Sequence, residues 1–170
     1  MSNKAAHVIV KTPLYTREQR ERRDSTVWTV VQGVLAPFQF LVFLVSLIFI
    51  ARYFFNGDGY LLAAYSVVFK TIILLIIMVT GAIWEKVVFG QYLLAPAFFW
   101  EDIVSFFVIA IHLTYLVVFF GNFLSNDAKL GLALFAYGLY LVNAAQFIFK
   151  LRAARASLET IIDHESEVIA

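Results

Sequence analysis

The chain has 170 residues, of which 62% are hydrophobic and 15% charged, with a formal net charge of +1 and no cysteine. Soluble domains carry about 25% charged residues, so these apolar side chains exceed what one small soluble core can bury. The small net charge argues against nucleic-acid binding, and the lack of cysteine excludes disulfides, thiolate metal sites and cysteine nucleophiles.

The first 26 residues form a basic, polar segment. They lack the succession of basic, apolar and small residues that marks a secretory signal, so we expect the apolar segment that follows to be retained as an anchor. The basic residues of this segment are Lys4, Lys11, Arg17, Arg20, Arg22 and Arg23.

Apolar segments then follow at Val27–Phe54, Leu61–Ile83, Ile103–Phe120 and Leu130–Phe149. Each is close to the ~20 residues that an α-helix needs to cross about 30 Å of hydrocarbon. Turn residues such as Gly57 and Asn126 separate the members of each pair. The sequence therefore predicts an all-α, polytopic membrane protein with a four-transmembrane-helix bundle over residues 27–152.

The connection between the second and third predicted helices, Trp84–Trp100, is itself apolar. Tryptophan stands at both of its ends, as is common where a chain meets the membrane–water interface. We therefore expect this connection to be interfacial, with Trp84 and Trp100 in the aromatic belt as the simplest interpretation.

Basic residues also follow the fourth segment, at Lys150, Arg152 and Arg155, whereas the two short loops offer only Arg52 and Lys129. By the positive-inside rule, both termini and the Trp84–Trp100 connection lie in the cytoplasm. Residues 153–170 are then a polar cytoplasmic tail.

Ionisable groups within membrane segments are costly and are therefore candidates for function. Glu85 and Lys86 end the second helix, and Glu101 and Asp102 precede the third, so these groups should gather at the cytoplasmic end. The eleven-residue step from Glu101 places His112 about 16 Å deeper, at a depth comparable with that of Lys70.

A polar stripe on the fourth helix leads to the same end. Its members, at helical spacing, are Tyr140, Asn143, Gln146 and Lys150. This pattern suggests a polar cavity that opens toward the cytoplasm.

Simpler interpretations stay open for each of these residues. Asn143 and Gln146 can serve only as interhelical hydrogen-bonding groups, and Lys150 can extend its ammonium group to the interface. Glu85 and Lys86 can form a surface pair, and His112 can either bond a neighbouring helix or bind a pigment metal.

Familiar catalytic signatures are missing from the sequence. It contains no GxSxG, HExxH, P-loop or dinucleotide-binding glycine pattern. The three histidines are too scattered to indicate a metal centre of the protein's own.

Several longer stretches resemble one known family. These are LYTREQR at 14–20, VQGVLAPFQF at 31–40, IWEKVVFG at 83–90, APAFFWED at 95–102 and VNAAQF at 142–147. Together they resemble the 3-vinyl bacteriochlorophyllide hydratase family over roughly residues 14–155.

The resemblance implies a lyase of bacteriochlorophyll biosynthesis, and so of photosynthesis. Such a hydro-lyase adds water to the C3 vinyl group of chlorophyllide a, or of a related bacteriochlorophyllide, to give a 3-(1-hydroxyethyl) product. It implies no cofactor, since the tetrapyrrole substrate carries its own magnesium. It also implies the cytoplasmic or intracytoplasmic inner membrane of a bacterium, with lipid and possible homo-oligomer or pigment-enzyme partners.

Vinyl hydration needs an acid that protonates the terminal carbon, and burial keeps a carboxyl group neutral. We take Glu101 as the first candidate for this acid and Glu85 as the second. Asp102 is the candidate for orienting or deprotonating the attacking water.

The remaining candidates would bind substrate. Asn143 and Gln146 would position water or polar substituents of the macrocycle, with Trp84 among the surrounding aromatic side chains. His112 is a candidate ligand for the substrate magnesium.

Lys86 or Lys150 would pair with the substrate propionate. Two other classes of protein remain: a non-catalytic pigment carrier or assembly factor, and a small transporter or channel subunit suggested by Lys70 and His112. Product formation would separate the hydratase from the carrier.

Overall fold

The computed structural model describes the backbone of residues 14–169 and the side chains of residues 14–156. Lys4 and Lys11 lie outside the described residues, as do the acidic side chains of the polar tail. The elements in chain order are α1 (Arg17–Ser25), α2 (Val27–Asn56), α3 (Tyr60–Phe89), α4 (Phe99–Gly121) and α5 (Asn126–Ile169).

The last four of these helices are long and apolar enough to cross a membrane. The described part of the chain contains no strand. The predicted fold class, an all-α membrane protein with four spanning helices, is therefore confirmed. The proposed division at residues 26 and 152 stays a prediction, and α5 continues as one helix through the second boundary.

The helices around the predicted connection are longer than their apolar segments. α3 continues past Ile83 to Phe89 and ends at Gly90, whose φ of 88° is the left-handed conformation common at helix C-termini. α4 already begins at Phe99, so the loop is confined to residues 90–98. A hydropathy window ends at the first charged residues, whereas the helical hydrogen bonds continue through them.

The helices pack as two antiparallel hairpins, α2 with α3 and α4 with α5, while α1 packs on α3. The main buried core lies between the hairpins and includes Phe43, Val67, Tyr115 and Tyr137. A second buried cluster is centred on Tyr15, Val88 and Phe98. This cluster marks what we call the α1 end of the bundle, which also carries loop 90–98.

The outer faces of the spanning helices remain apolar. Phe107 and Val117 on α4 are both well exposed in the isolated chain. In a helix whose backbone groups are bonded internally, such a face is suited to contact lipid.

Candidate active site

Three carboxyl groups lie together at the α1 end of the bundle. Glu85 stands in the last turns of α3, and Glu101 and Asp102 stand in the first turn of α4. All three side chains are buried, with residue exposures of 5%, 8% and 3% respectively. The longer helices explain this arrangement, because the end of α3 and the start of α4 lie side by side across a short loop.

Glu85 and Asp102 form a direct pair. Their carboxyl groups lie within hydrogen-bonding distance of each other. The loop supports both, since the Ala95 N–H donates to Glu85 Oε2 at 3.2 Å and the Leu94 N–H donates to Asp102 Oδ2 at 2.7 Å. A hydrogen bond between two carboxyl groups requires one proton, so the pair places an acid and a base in contact.

Glu101 has a different partner. Lys150 Nζ on α5 lies 2.7 Å from Glu101 Oε2 and 5.4 Å from the centroid of the Phe98 ring. Lys150 therefore does more than extend to the interface. It neutralises one carboxylate of the cluster and leaves Glu85 and Asp102 to each other.

Asn143 joins α5 to the backbone beneath this ion pair. Its Nδ2 donates to the Glu101 carbonyl oxygen at 3.0 Å, and its Oδ1 lies 3.1 Å from Ser105 Oγ. The interhelical interpretation thus describes Asn143. Ser105 was not predicted, although it lies one helical turn after Glu101 and so on the same face.

Gln146 stands one turn further along α5. Its Oε1 atom is buried and has no hydrogen-bond partner among the described residues. Buried amide oxygens are normally bonded, so this atom can accept a hydrogen bond from a substrate or water.

Aromatic rings close the α1 end around Phe98. The Phe98 ring centroid lies 5.7 Å from that of Trp84 and 5.9 Å from that of Phe147. Trp84 is fixed by its indole N–H, which donates to Thr29 Oγ1 at 2.9 Å. Phe98 was not predicted as part of the site, although it lies in one of the stretches that carry the family resemblance.

Tyr15 brings the segment before α1 into this aromatic cluster. Its ring stacks on Phe89 with centroids 5.7 Å apart, and the Arg23 guanidinium lies 4.9 Å from its centroid. Burial raises the pKa of the Tyr15 hydroxyl, so it is a neutral phenol. Sequence analysis did not predict this residue, because it lies in a polar segment.

Lys86 points away from the carboxyl cluster. Its Nζ donates to the Gly90 carbonyl oxygen at 2.7 Å and lies 5.3 Å from the centroid of the Tyr92 ring. A cation near the last carbonyl groups of a helix is favourable. Lys86 therefore caps α3, whereas its neighbour Glu85 is buried rather than part of a surface pair.

His112 lies apart from the carboxyl cluster, at the centre of the bundle. Its Nε2 atom is 2.9 Å from Lys70 Nζ, and its Nδ1 atom is 2.7 Å from the Val108 carbonyl oxygen. A carbonyl only accepts, so Nδ1 carries the proton and the Nε2 lone pair faces Lys70. The Nε2 contact is an interhelical hydrogen bond between α4 and α3, whereas the Nδ1 hydrogen bond lies within α4.

The Lys70 ammonium group also lies over two tyrosine rings of α5. Its Nζ atom is 4.0 Å from the centroid of Tyr140 and 5.3 Å from that of Tyr137. The Tyr137 hydroxyl is hydrogen-bonded to Ser46 on α2 at 2.6 Å. Lys70 thus contacts aromatic faces of α5 and His112 of α4, and so links α3, α4 and α5.

Comparison with known proteins gives a consistent result. A family model described as 2-vinyl bacteriochlorophyllide hydratase matches residues 15–153. A protein of Cereibacter sphaeroides named 2-vinyl bacteriochlorophyllide hydratase is 58% identical over 147 residues, which cover 86% of this chain and 91% of the relative. A protein of the same name from Rhodobacter capsulatus is 58% identical over 143 residues, which cover 84% of this chain and 82% of the relative.

The resemblance seen in the sequence is confirmed by these matches. Their names number the vinyl position 2, where the resemblance numbers it 3. No solved structure matches the chain significantly.

Proposed function

The chain belongs to the 2-vinyl bacteriochlorophyllide hydratase family, and from this premise we propose that it hydrates the vinyl group of its pigment substrate through Glu85 and Asp102. The activity is that of a hydro-lyase in bacteriochlorophyll biosynthesis. Chlorophyllide a is the substrate that we propose, with a 1-hydroxyethyl substituent in the product.

The reaction adds one proton and one hydroxide to a carbon–carbon double bond. The acid protonates the terminal vinyl carbon, and the adjoining carbon takes up cationic character that the conjugated macrocycle delocalises. Water attacks that carbon and then loses a proton to a base. Oxidation state is unchanged overall, so the proposal includes no redox cofactor and treats magnesium as part of the substrate.

The contact between the Glu85 and Asp102 carboxyl groups carries this proposal. A pair that shares one proton can donate it to the vinyl carbon and recover a proton from the attacking water. Glu101, which the sequence ranked first, is bonded to Lys150. We therefore assign it the role of holding α4 against α5 and place the acid on the neighbouring pair.

Neighbouring side chains fit roles in binding. Gln146 Oε1, buried without a partner, would accept a hydrogen bond from the attacking water or from a polar substituent of the macrocycle. Trp84 and Phe98 would contact the flat face of the macrocycle. Lys86, whose contacts lie at the surface, would attract the substrate propionate.

The α1 end would face the cytoplasm in an inner or intracytoplasmic bacterial membrane, with both termini on that side. Basic residues of α1, such as Arg22 and Arg23, and Arg152 on α5 support this orientation. Association with another copy or with other pigment enzymes is part of the same proposal. Ala133 and Ala136 on α5 are already buried within one chain, so they are not part of the surface available for such association.

The test is an assay with purified, detergent-solubilised protein and chlorophyllide a, without added cofactor, followed by mass spectrometry. We expect a gain of one water with the native protein and a loss of about 100-fold or more in rate with Glu85→Gln. Glu101→Gln is the matched control, and its rate per folded molecule should fall far less. Tight pigment binding without any mass gain would contradict the proposal and favour a carrier.

A further inference from the structure

Loop 90–98 contains an unusual backbone conformation. Leu94 has a φ of 59°, in the left-handed region that residues with a side chain rarely adopt. The loop is closed separately by the Phe98 N–H, which donates to the Ala95 carbonyl oxygen at 2.7 Å. That hydrogen bond and Gly90 account for the reversal of chain direction. The left-handed conformation of Leu94 therefore has another explanation.

The explanation lies in where two successive amide groups point. The Leu94 N–H donates to Asp102 at 2.7 Å, and the Ala95 N–H donates to Glu85 at 3.2 Å. A left-handed residue beside a residue of ordinary conformation turns adjacent N–H groups toward one side, and such a concavity binds anionic oxygen atoms. Here the two oxygens come from different helices.

The two N–H hydrogen bonds also occupy one oxygen atom of each carboxyl group. Leu94 uses Oδ2 of Asp102, and Ala95 uses Oε2 of Glu85. One oxygen of each carboxyl group is left for the contact between the two side chains. Ala95 is fully enclosed, so water does not compete for its N–H, whereas Leu94 is half-buried.

We propose that Leu94 is a positioning residue of the hydration reaction, whose left-handed backbone aims two successive amide groups at Asp102 and Glu85 and so holds the pair in its proton-sharing geometry. This inference rests on the proposed function, because it assigns a role to the backbone that supports the acid. The Leu94 side chain itself has no part in the chemistry.

Substitutions that change only the backbone preference test the idea. Leu94→Gly accepts the left-handed conformation, whereas Leu94→Val, with its branched Cβ, opposes it. Leu94→Ile, isomeric with the native residue and also branched at Cβ, is the second variant should the valine protein fail to fold. Leu93→Val is the matched control, since Leu93 is a neighbour that is half-buried like Leu94 but has no positive φ.

The measurements are hydration rate per folded molecule from about pH 5 to about pH 9, together with thermal unfolding in detergent. Leu94→Gly and Leu93→Val should keep the native rate and pH profile. Leu94→Val, or failing that Leu94→Ile, should lose about tenfold in rate and show an altered pH profile. A role in folding alone would reduce the folded fraction without changing either kinetic quantity, and that result would overturn the proposal.

Two further variants separate this inference from the function on which it rests. If Glu85→Gln and Asp102→Asn lose activity while folded Leu94→Val and Leu94→Ile keep the native rate and pH profile, only the positioning role is wrong. If Glu85→Gln and Asp102→Asn keep full activity, the acid assignment itself is wrong, and the role of Leu94 falls with it.

Discussion

Lys150 Nζ lies 2.7 Å from Glu101 Oε2 and so joins α5 to the first turn of α4. Side-chain exposures of 25% and 10% place this ion pair at the edge of the buried region. The pair does two things at once. It fastens the second hairpin at the α1 end, and it gives one of three neighbouring carboxyl groups a counter-charge of its own.

The first prediction concerns this ion pair. Lys150→Met should lower the free energy of unfolding by about 1–3 kcal/mol, because it leaves the Glu101 carboxylate partly buried without a counter-charge. The double variant Lys150→Met with Glu101→Gln should recover much of that loss. Denaturant unfolding in detergent would measure the cycle, and simple additivity of the two single changes would contradict the coupling.

A second prediction concerns pH. A proton donor must be protonated to act, so the hydration rate should be present at lower pH and fall as pH rises through the point where the carboxyl pair loses its shared proton. In Glu85→Gln the residual rate should lack this alkaline limb. A rate profile followed by mass spectrometry would check it, and an unchanged limb in Glu85→Gln would assign the titration to another group.

Lys70 provides a third prediction. Lys70→Met leaves the buried Nε2 atom of His112 without its donor and should destabilise the protein by about 1–3 kcal/mol. The hydration rate per folded molecule should hardly change, because the pair lies apart from the carboxyl cluster. Val79→Met, at an exposed position on the same helix, is the control. A gain of pigment affinity in folded Lys70→Met, which frees the Nε2 lone pair of His112, would instead support His112 as a ligand of the substrate magnesium.

A fourth prediction concerns the attachment of α1. Thr29 Oγ1 accepts from the Trp84 indole and donates to the Arg23 carbonyl oxygen at 2.6 Å. Thr29→Val breaks both bonds and should cost about 1 kcal/mol or more. Trypsin should then cut faster at the arginines of α1.

The matched control for that change is Thr114→Val. Thr114 is exposed, and its hydroxyl donates to the Ala110 carbonyl oxygen within its own helix. Equal trypsin rates for the two variants would show that the Thr29 contacts do not hold α1.

Hydropathy was sufficient to predict the spanning helices, because segments of about 20 apolar residues have few other stable forms. The helices near Trp84 and Trp100 extend beyond their predicted apolar segments, because charged residues continue each helix past its apolar part. The Trp84–Trp100 connection is therefore helical at both ends, with a loop at residues 90–98.

Depth alone placed Glu85, Glu101 and Asp102 at one end of the bundle. It did not indicate which carboxyl groups would pair, because that depends on the left-handed conformation of Leu94 and on the rotation of α5 that brings Lys150 to Glu101. Neither quantity follows from the spacing of residue types.

The division into two hairpins has a consequence for biogenesis. Glu85 belongs to the first hairpin to leave the ribosome and Asp102 to the second, and loop 90–98 bridges them. A partly inserted chain therefore holds half of the proposed reactive pair. Under the proposed mechanism, catalytic competence would arise only once the second hairpin has inserted and docked.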